Sequence, residues 1–193
     1  MTTDIERFCI KFLARPETNI DEVTFIEVFH EWIRLQKLKG TLIDVADYRH
    51  VPNGPGVMLI THEVNYAMEH SNGEFGLYAQ RKLGQGETNK ERILDLAKAT
   101  ATFGALLESD SRVAGKLSLE GGKFYYMAND RLRAPNTEEA FAAIKPDLEA
   151  AAAELYPGQS VSIRRLENDS RDRLTAVIQV EKSVDISTLA QAA

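Results

Sequence analysis

The sequence has few of the residues that mark a cross-link, a metal site or a membrane anchor. Its 193 residues include one cysteine, Cys9, which cannot form an internal disulfide and lacks the partners of a cysteine zinc site. We expect a buried, inert thiol, because Cys9 lies in an apolar run. No apolar run approaches the ~20 residues that span a bilayer, and no basic leader precedes an apolar stretch at the N-terminus. These absences favour a cytoplasmic protein without membrane association.

Motifs for common cofactors and catalytic centres are also lacking. Residues 54–56 do not form a dinucleotide-binding fingerprint, and residues 84–86 lack the lysine of a phosphate-binding loop. No nucleophile elbow is present. The net charge of −6 and the lack of a basic stripe argue against a nucleic-acid partner. The sequence therefore identifies no cofactor and leaves open whether the protein is an enzyme.

What the sequence does contain is a clear alternation of strand and helix patterns. An Asn72-Gly73 turn between apolar runs predicts a hairpin, and Gly121-Gly122 predicts a second one. Candidate helix caps are Thr88 or Asn89 for the second helix and Asn136 or Thr137 for the third. The first predicted helix lies between residues 18–21 and Gly40, where it ends, and the other two cover residues 90–108 and 138–156. Pro146 is expected to kink the last helix or to mark a short break. The predicted strands cover residues 6–14, 41–48, 57–69, 74–83, 116–120, 123–128, 160–166 and 173–181.

This order predicts an α+β fold in one compact domain. We expect a mainly antiparallel sheet of about seven or eight strands, with three helices mostly on one face. The order strand-helix-strand-strand occurs twice, which suggests a tandem β-α-β-β duplication. The halves would be residues 1–83, including a hairpin extension, and residues 116–184, joined by a helix in residues 84–115 and followed by a tail, residues 185–193.

The proposed duplication singles out one histidine. Residues 40–63 can be placed on residues 158–181 without a gap, at an offset of 118 (158 − 40 = 118). In that alignment His62 matches Val180, which lies on an alternating apolar face. A histidine at a core position is a candidate functional residue, so His62, with Glu63 or Tyr66, is the predicted centre for acid-base chemistry.

Two sites can be built around His62. A metal ion is one possibility, with His50, His62 and Asp47 as ligands, although the spacing matches no zinc motif. The other is a small-molecule pocket on the helix-covered face of the sheet. Its lining would be His62, Tyr66, Tyr78, Arg81 and Tyr125. The alternatives are a buried, hydrogen-bonded His62 and tyrosines that serve only packing.

A third candidate is the polar loop of residues 129–136, which precedes the last long helix. Arg131 and Arg133 near a helix N-terminus are suited to holding an anion. Arg15 occupies the corresponding place in the first half, which suggests twin anion sites. The alternative is a solvated capping loop.

Two functional hypotheses follow. The first is a protein that binds a small ligand or a protein partner without catalysis, because catalytic signatures are lacking. The second is a small enzyme that uses His62. A homodimer is expected, because the uncovered sheet face and the edge strands need protection.

Overall fold

The chain folds into one antiparallel sheet with helices on one face. The computed structural model describes residues 4–83 and 86–191, except for the side chains of Asn72 and Gln191. In chain order its strands are β1 (Phe8–Ala14), β2 (Leu42–Tyr48), β3 (Gly56–Thr61), β4 (Val64–Glu69), β5 (Gly76–Arg81), β6 (Leu119–Ala128), β7 (Val161–Arg165) and β8 (Thr175–Val180). The helices are α1 (Val23–Arg34), α2 (Asn89–Ser109), α3 (Glu138–Leu155) and the short α4 (Ile186–Gln191).

The strands are arranged in the order β2-β3-β4-β5-β1-β6-β8-β7, and all neighbours are antiparallel. This arrangement confirms the predicted α+β fold and its mainly antiparallel sheet. The first strand of the chain, β1, lies in the interior of the sheet between β5 and β6. Residues 9–12 of β1 have a strand neighbour on both sides, and the side chains of β1 alternate between the two faces.

One face of the sheet carries the main hydrophobic core. Phe8, Ile10 and Phe12 of β1 point to this face and are fully buried. Helix α1 lies over β2 and β3, α2 over β1 and β5, and α3 over β7. The only tryptophan, Trp32, packs edge-on against Phe103 of α2. Apolar helix faces thus cover one side of the sheet, as the periodicity predicts.

Local signals define where the long helices begin. Thr88 caps α2 by accepting a hydrogen bond from the backbone N–H of Glu91, which returns the interaction in a capping box. Thr137 caps α3 in a similar way through the backbone N–H of Ala140. Both caps agree with the sequence analysis. Helix α3 continues through Pro146, so of the predicted kink or short break, the break does not occur.

Two predicted strand patterns are wrong. The predicted strand of residues 57–69 is a hairpin of β3 and β4, because the Thr61 hydroxyl bonds both the N–H and the carbonyl of Val64 and closes a tight turn. Conversely, Gly121 and Gly122 do not form a turn but lie within β6. A Cβ at Gly121 would stand 2.9 Å from the carbonyl oxygen of Val184, so glycine is needed there for close backbone approach.

The hairpin changes the position of His62, which is exposed in the β3–β4 turn and does not face the core. Val45 pairs with Leu59 in the first half, and Ile163 pairs with Ile178 in the second. The offset is therefore 118 between β2 and β7 but 119 between β3 and β8. The gapless alignment was one residue out of phase, which reverses the face of every side chain.

With the extra residue included, His62 matches Glu181, and both are exposed. The premise that His62 replaces a core valine is therefore wrong. The shared register of the two strand pairs is compatible with a duplication, which stays a prediction.

Membrane insertion through a helix has no support in the described ranges. None of the helices in residues 4–83 and 86–191 combines the length and apolar character that crossing a bilayer requires.

Candidate functional site

Four of the predicted site residues lie at the same end of the sheet. The register places the start of β1 beside the ends of β5 and β6, with Cys9 opposite Gln80 and Phe8 opposite Ala128. The β3–β4 turn lies at this end too, because Val64 pairs with Arg81. We call this region the arginine end, formed by residues 6–7, 81–83, 86–92 and 129–134. His62 in the adjoining turn, Arg81, Arg131 and Arg133 are the predicted residues found here.

The predicted metal ligands are not brought together. His50 and Asp47 lie where β2 leads into β3, whereas His62 follows the other end of β3. The six residues of β3 separate them by roughly 20 Å at about 3.3 Å per residue. Asp47 is instead bound by Arg49, whose hydrogen bond lowers the pKa of that carboxyl to about 2. In the part of the chain that the structure describes, no three His, Cys, Asp or Glu residues form a group suited to a metal ion.

The predicted pocket of tyrosines divides between the two faces of the sheet. Tyr66 lies on the helix-covered face, where its ring stacks on Phe103 with centroids 4.2 Å apart. Tyr78 and Tyr125 belong to the opposite face. These three side chains therefore cannot line one cleft, and the prediction of a common pocket on the covered face is wrong.

Tyr78 belongs to a small polar cluster on the uncovered face. Its hydroxyl donates to the sulfur of Cys9 at 2.7 Å, and Nη1 of Arg173 donates to the Tyr78 hydroxyl at 3.1 Å. Burial raises the pKa of Cys9, and the nearby Arg173 guanidinium offsets only part of this effect. The thiol is fully buried and stays protonated at neutral pH, so it is a packing group and not a nucleophile.

A buried ion pair occupies the same face. Nζ of Lys11 lies 2.5 Å from a carboxylate oxygen of Glu69, and both side chains are at most 5% exposed. The Lys11 ammonium also donates to the carbonyl oxygen of Glu74 at 2.6 Å. Tyr125 donates to the Glu74 carboxylate. These contacts hold the β4–β5 connection against the sheet, so Tyr125 has a structural role here.

The arginine end contains a surface groove of about 500 Å³. It is lined by Glu6, Arg7, Asn129, Asp130, Arg131, Leu132 and Arg133. The side chains of Arg7 and Arg131 make no hydrogen bond or ion pair with any described residue. Arg133 donates to the carbonyl oxygen of Asp4 at 3.2 Å and lies 3.7 Å from the Asp130 carboxylate. Two guanidinium groups in this groove are thus available to a ligand.

A smaller cleft of about 200 Å³ adjoins the groove and shares Glu6 with it. Its lining includes Arg81, Lys82 and Arg92. Arg92 is committed to the fold, since it binds Asp4 and the carbonyl oxygens of residues 86 and 87. Burial, and then repulsion from Arg92, lowers the pKa of Arg81. The cleft therefore extends the positive potential of the groove.

The lining of the groove and cleft carries a charge opposite to that of the whole chain. Six basic and two acidic side chains line the groove and cleft, a net charge of +4 (6 − 2), whereas the chain carries −6. Concave regions focus such potentials and attract counter-ions. At the other end Arg15 binds Glu120, Asp185 and the Val184 carbonyl, so the predicted twin site has no uncommitted arginine.

Sequence reasoning found Arg81, Arg131 and Arg133 but missed Arg7 and Glu6. Arg7 precedes an apolar strand, and no local motif distinguishes it. It reaches the groove because β1 pairs with β6, and its carbonyl accepts the N–H of Asn129 at 2.9 Å.

Comparisons with protein-family models, curated proteins and solved structures find no match to this chain.

Proposed function

We propose that the protein binds a small anionic ligand in the groove of the arginine end. The supporting observation is that Arg7 and Arg131 line one groove and are unpaired within the described residues. Guanidinium groups form charge-assisted, often bidentate hydrogen bonds with carboxylates and phosphates. A concave surface with converging polar groups is the usual form of a ligand site.

Binding without catalysis agrees best with the position of the titratable groups. The proposed enzyme needed His62 at a core position, and this histidine is exposed in a turn. The Cys9 thiol is buried, and its pKa is raised. The groove itself offers arginines, two carboxylates and an amide. These groups bind and orient an anion, and they include no histidine or cysteine as a proton carrier or nucleophile near pH 7.

Isothermal titration with inorganic pyrophosphate at low ionic strength tests the proposal. We expect a Kd on the order of 1 mM or tighter, weakening with added salt because the groove is open to solvent. The double variant Arg7→Gln/Arg131→Gln should weaken binding at least about tenfold, as expected for the loss of charged hydrogen bonds.

Arg49→Gln is the matched control, because Arg49 lies in the β2–β3 turn at the opposite end of the sheet. It should bind pyrophosphate like the unmodified protein. Equal affinity of the double variant and the control, or no binding of pyrophosphate by the unmodified protein, would refute an anion site here.

We also expect a homodimer and a cytoplasmic location. Two edge strands, β2 and β7, leave one side of each strand without a strand neighbour, and pairing of such edges is a common route to homodimers. Sedimentation velocity decides this point: a species of 21.5 kDa over the micromolar range would contradict a dimer. A cytoplasmic location likewise remains a prediction.

A further inference from the structure

Leu132 is the most conspicuous apolar side chain on the surface. It is 96% exposed, whereas the next most exposed large apolar residue among those described, Leu83, is at 55%. Single exposed leucines are common, but Leu132 projects from the wall of the groove and stands between Arg131 and Arg133. Leu83 lines the adjoining cleft. The two most exposed leucines thus border the two basic concavities.

The loop that carries Leu132 is held in place by its own hydrogen bonds. The Asp130 carboxylate accepts the backbone N–H groups of Leu132 at 3.2 Å and of Arg133 at 3.1 Å. The carbonyl of Asp130 accepts the N–H of Ala134 at 2.8 Å, and Ala134 is buried. The exposure of Leu132 is therefore a property of an ordered turn. A preorganised loop loses little conformational entropy when it binds a partner.

We propose that the arginine end docks an acidic segment of a partner protein, with an apolar side chain of that segment covering Leu132. This inference rests on the proposed anion site and names the source of the anionic groups. Carboxylates of the segment would pair with Arg7 and Arg131, and the leucine contact would add apolar burial. Such a ring of charges around an apolar contact is the usual anatomy of a small interface.

The composition of the surface favours a peptide over two other partners. A flat anionic membrane would contact only the rim of the groove, because Arg7 and Arg131 line a concave recess. A second copy of this chain is negatively charged overall, but its described residues include no acidic segment that the structure places in the groove of another copy. An extended acidic chain fits a recess of about 500 Å³ and can place its carboxylates beside the arginines.

Fluorescence anisotropy with two labelled peptides tests the inference. One peptide has four glutamates around a central leucine, and its twin has serine in place of the leucine. The leucine peptide should bind about tenfold more tightly, which corresponds to about 1.4 kcal/mol and partial burial of a leucine side chain. Leu132→Ser should abolish this preference, so that the two peptides bind this variant with equal affinity. Val51→Ser, a change at an exposed apolar residue in the β2–β3 turn, should preserve the preference.

Each other outcome overturns the inference in a distinguishable way. Equal binding of both peptides to the unmodified protein, or a preference for the leucine peptide that persists in Leu132→Ser, would refute the role of Leu132. Tighter association with phosphatidylserine vesicles than with the leucine peptide would assign the surface to a membrane. Self-association that Leu132→Ser abolishes would assign it to a second copy of the chain. If pyrophosphate binds and neither peptide does, the anion site stands and the peptide partner is refuted.

Discussion

The buried ion pair of Lys11 and Glu69 makes a quantitative prediction about stability. Lys11→Met keeps an apolar stem of similar length but leaves the Glu69 carboxylate buried without its cation, 2.5 Å from the vacated position. Breaking a buried pair in this way costs about 3–5 kcal/mol. For a domain of this size, about 3 kcal/mol corresponds to a Tm decrease of roughly 6–12 °C. Urea unfolding at pH 7 and thermal denaturation followed by circular dichroism measure both quantities.

A double-mutant cycle separates the lost charge pair from lost packing. Lys11→Met/Glu69→Gln removes both charges, so its destabilisation should be smaller than the sum of the two single changes by about 2 kcal/mol. Lys145→Met is the control, because Lys145 and Glu149 form a surface pair at 3.7 Å worth less than about 0.5 kcal/mol. If Lys11→Met were as mild as this control, or if the cycle were additive, the account of a desolvated ion pair would be wrong.

Three further predictions concern a carboxylate, a glycine and the exposed histidine. A hydrogen bond from Arg112 lowers the pKa of Asp110 from 3.8 to about 2. The stability that this interaction contributes is complete above about pH 4 and is lost as the pH falls to 2. Urea titrations should therefore show Asp110→Asn destabilised by about 1 kcal/mol at pH 6, after allowance for solvent screening, and equal to the unmodified protein at pH 2. Gly56→Ala should unfold at least about 2 kcal/mol more easily, because φ is +63° and the added Cβ would lie 2.0 Å from the Met68 carbonyl oxygen; unchanged urea stability would contradict this clash. His62→Val should alter the free energy of unfolding by less than about 0.5 kcal/mol, and a larger loss would mean that this side chain is not exposed in solution.

The features that depend on neighbouring residues in the chain were predictable. The two cap candidates at each helix start follow from residues within one helical turn, and they include the observed caps Thr88 and Thr137. The sheet class follows from the number and spacing of apolar runs. Arg131 and Arg133 were recognised because a charged loop before a capped helix is visible locally. These inferences need no knowledge of which strands pair.

The features that depend on strand pairing were not predictable. Whether His62 faces the core or solvent depends on a shift of one residue in the alignment of the two halves, and local sequence patterns do not specify that shift. Lys11 lies in a strand that reads as apolar, and its burial makes sense only beside Glu69, which is delivered by another strand. Arg7 and Arg131 become neighbours in one groove only through the β1–β6 pairing. The candidate site is therefore mostly a product of tertiary structure.

The interior position of β1 has a consequence for how the protein is made. This strand is translated before both of its neighbours in the sheet, which begin at Gly76 and Leu119. During synthesis both hydrogen-bonding edges of β1, which carries the apolar side chains of Phe8, Ile10 and Phe12, stay unpaired until β5 and β6 have been translated. Such non-local pairing slows folding and exposes nascent chains to aggregation. Chains whose translation is stalled between β5 and β6 should therefore need a chaperone to remain unaggregated.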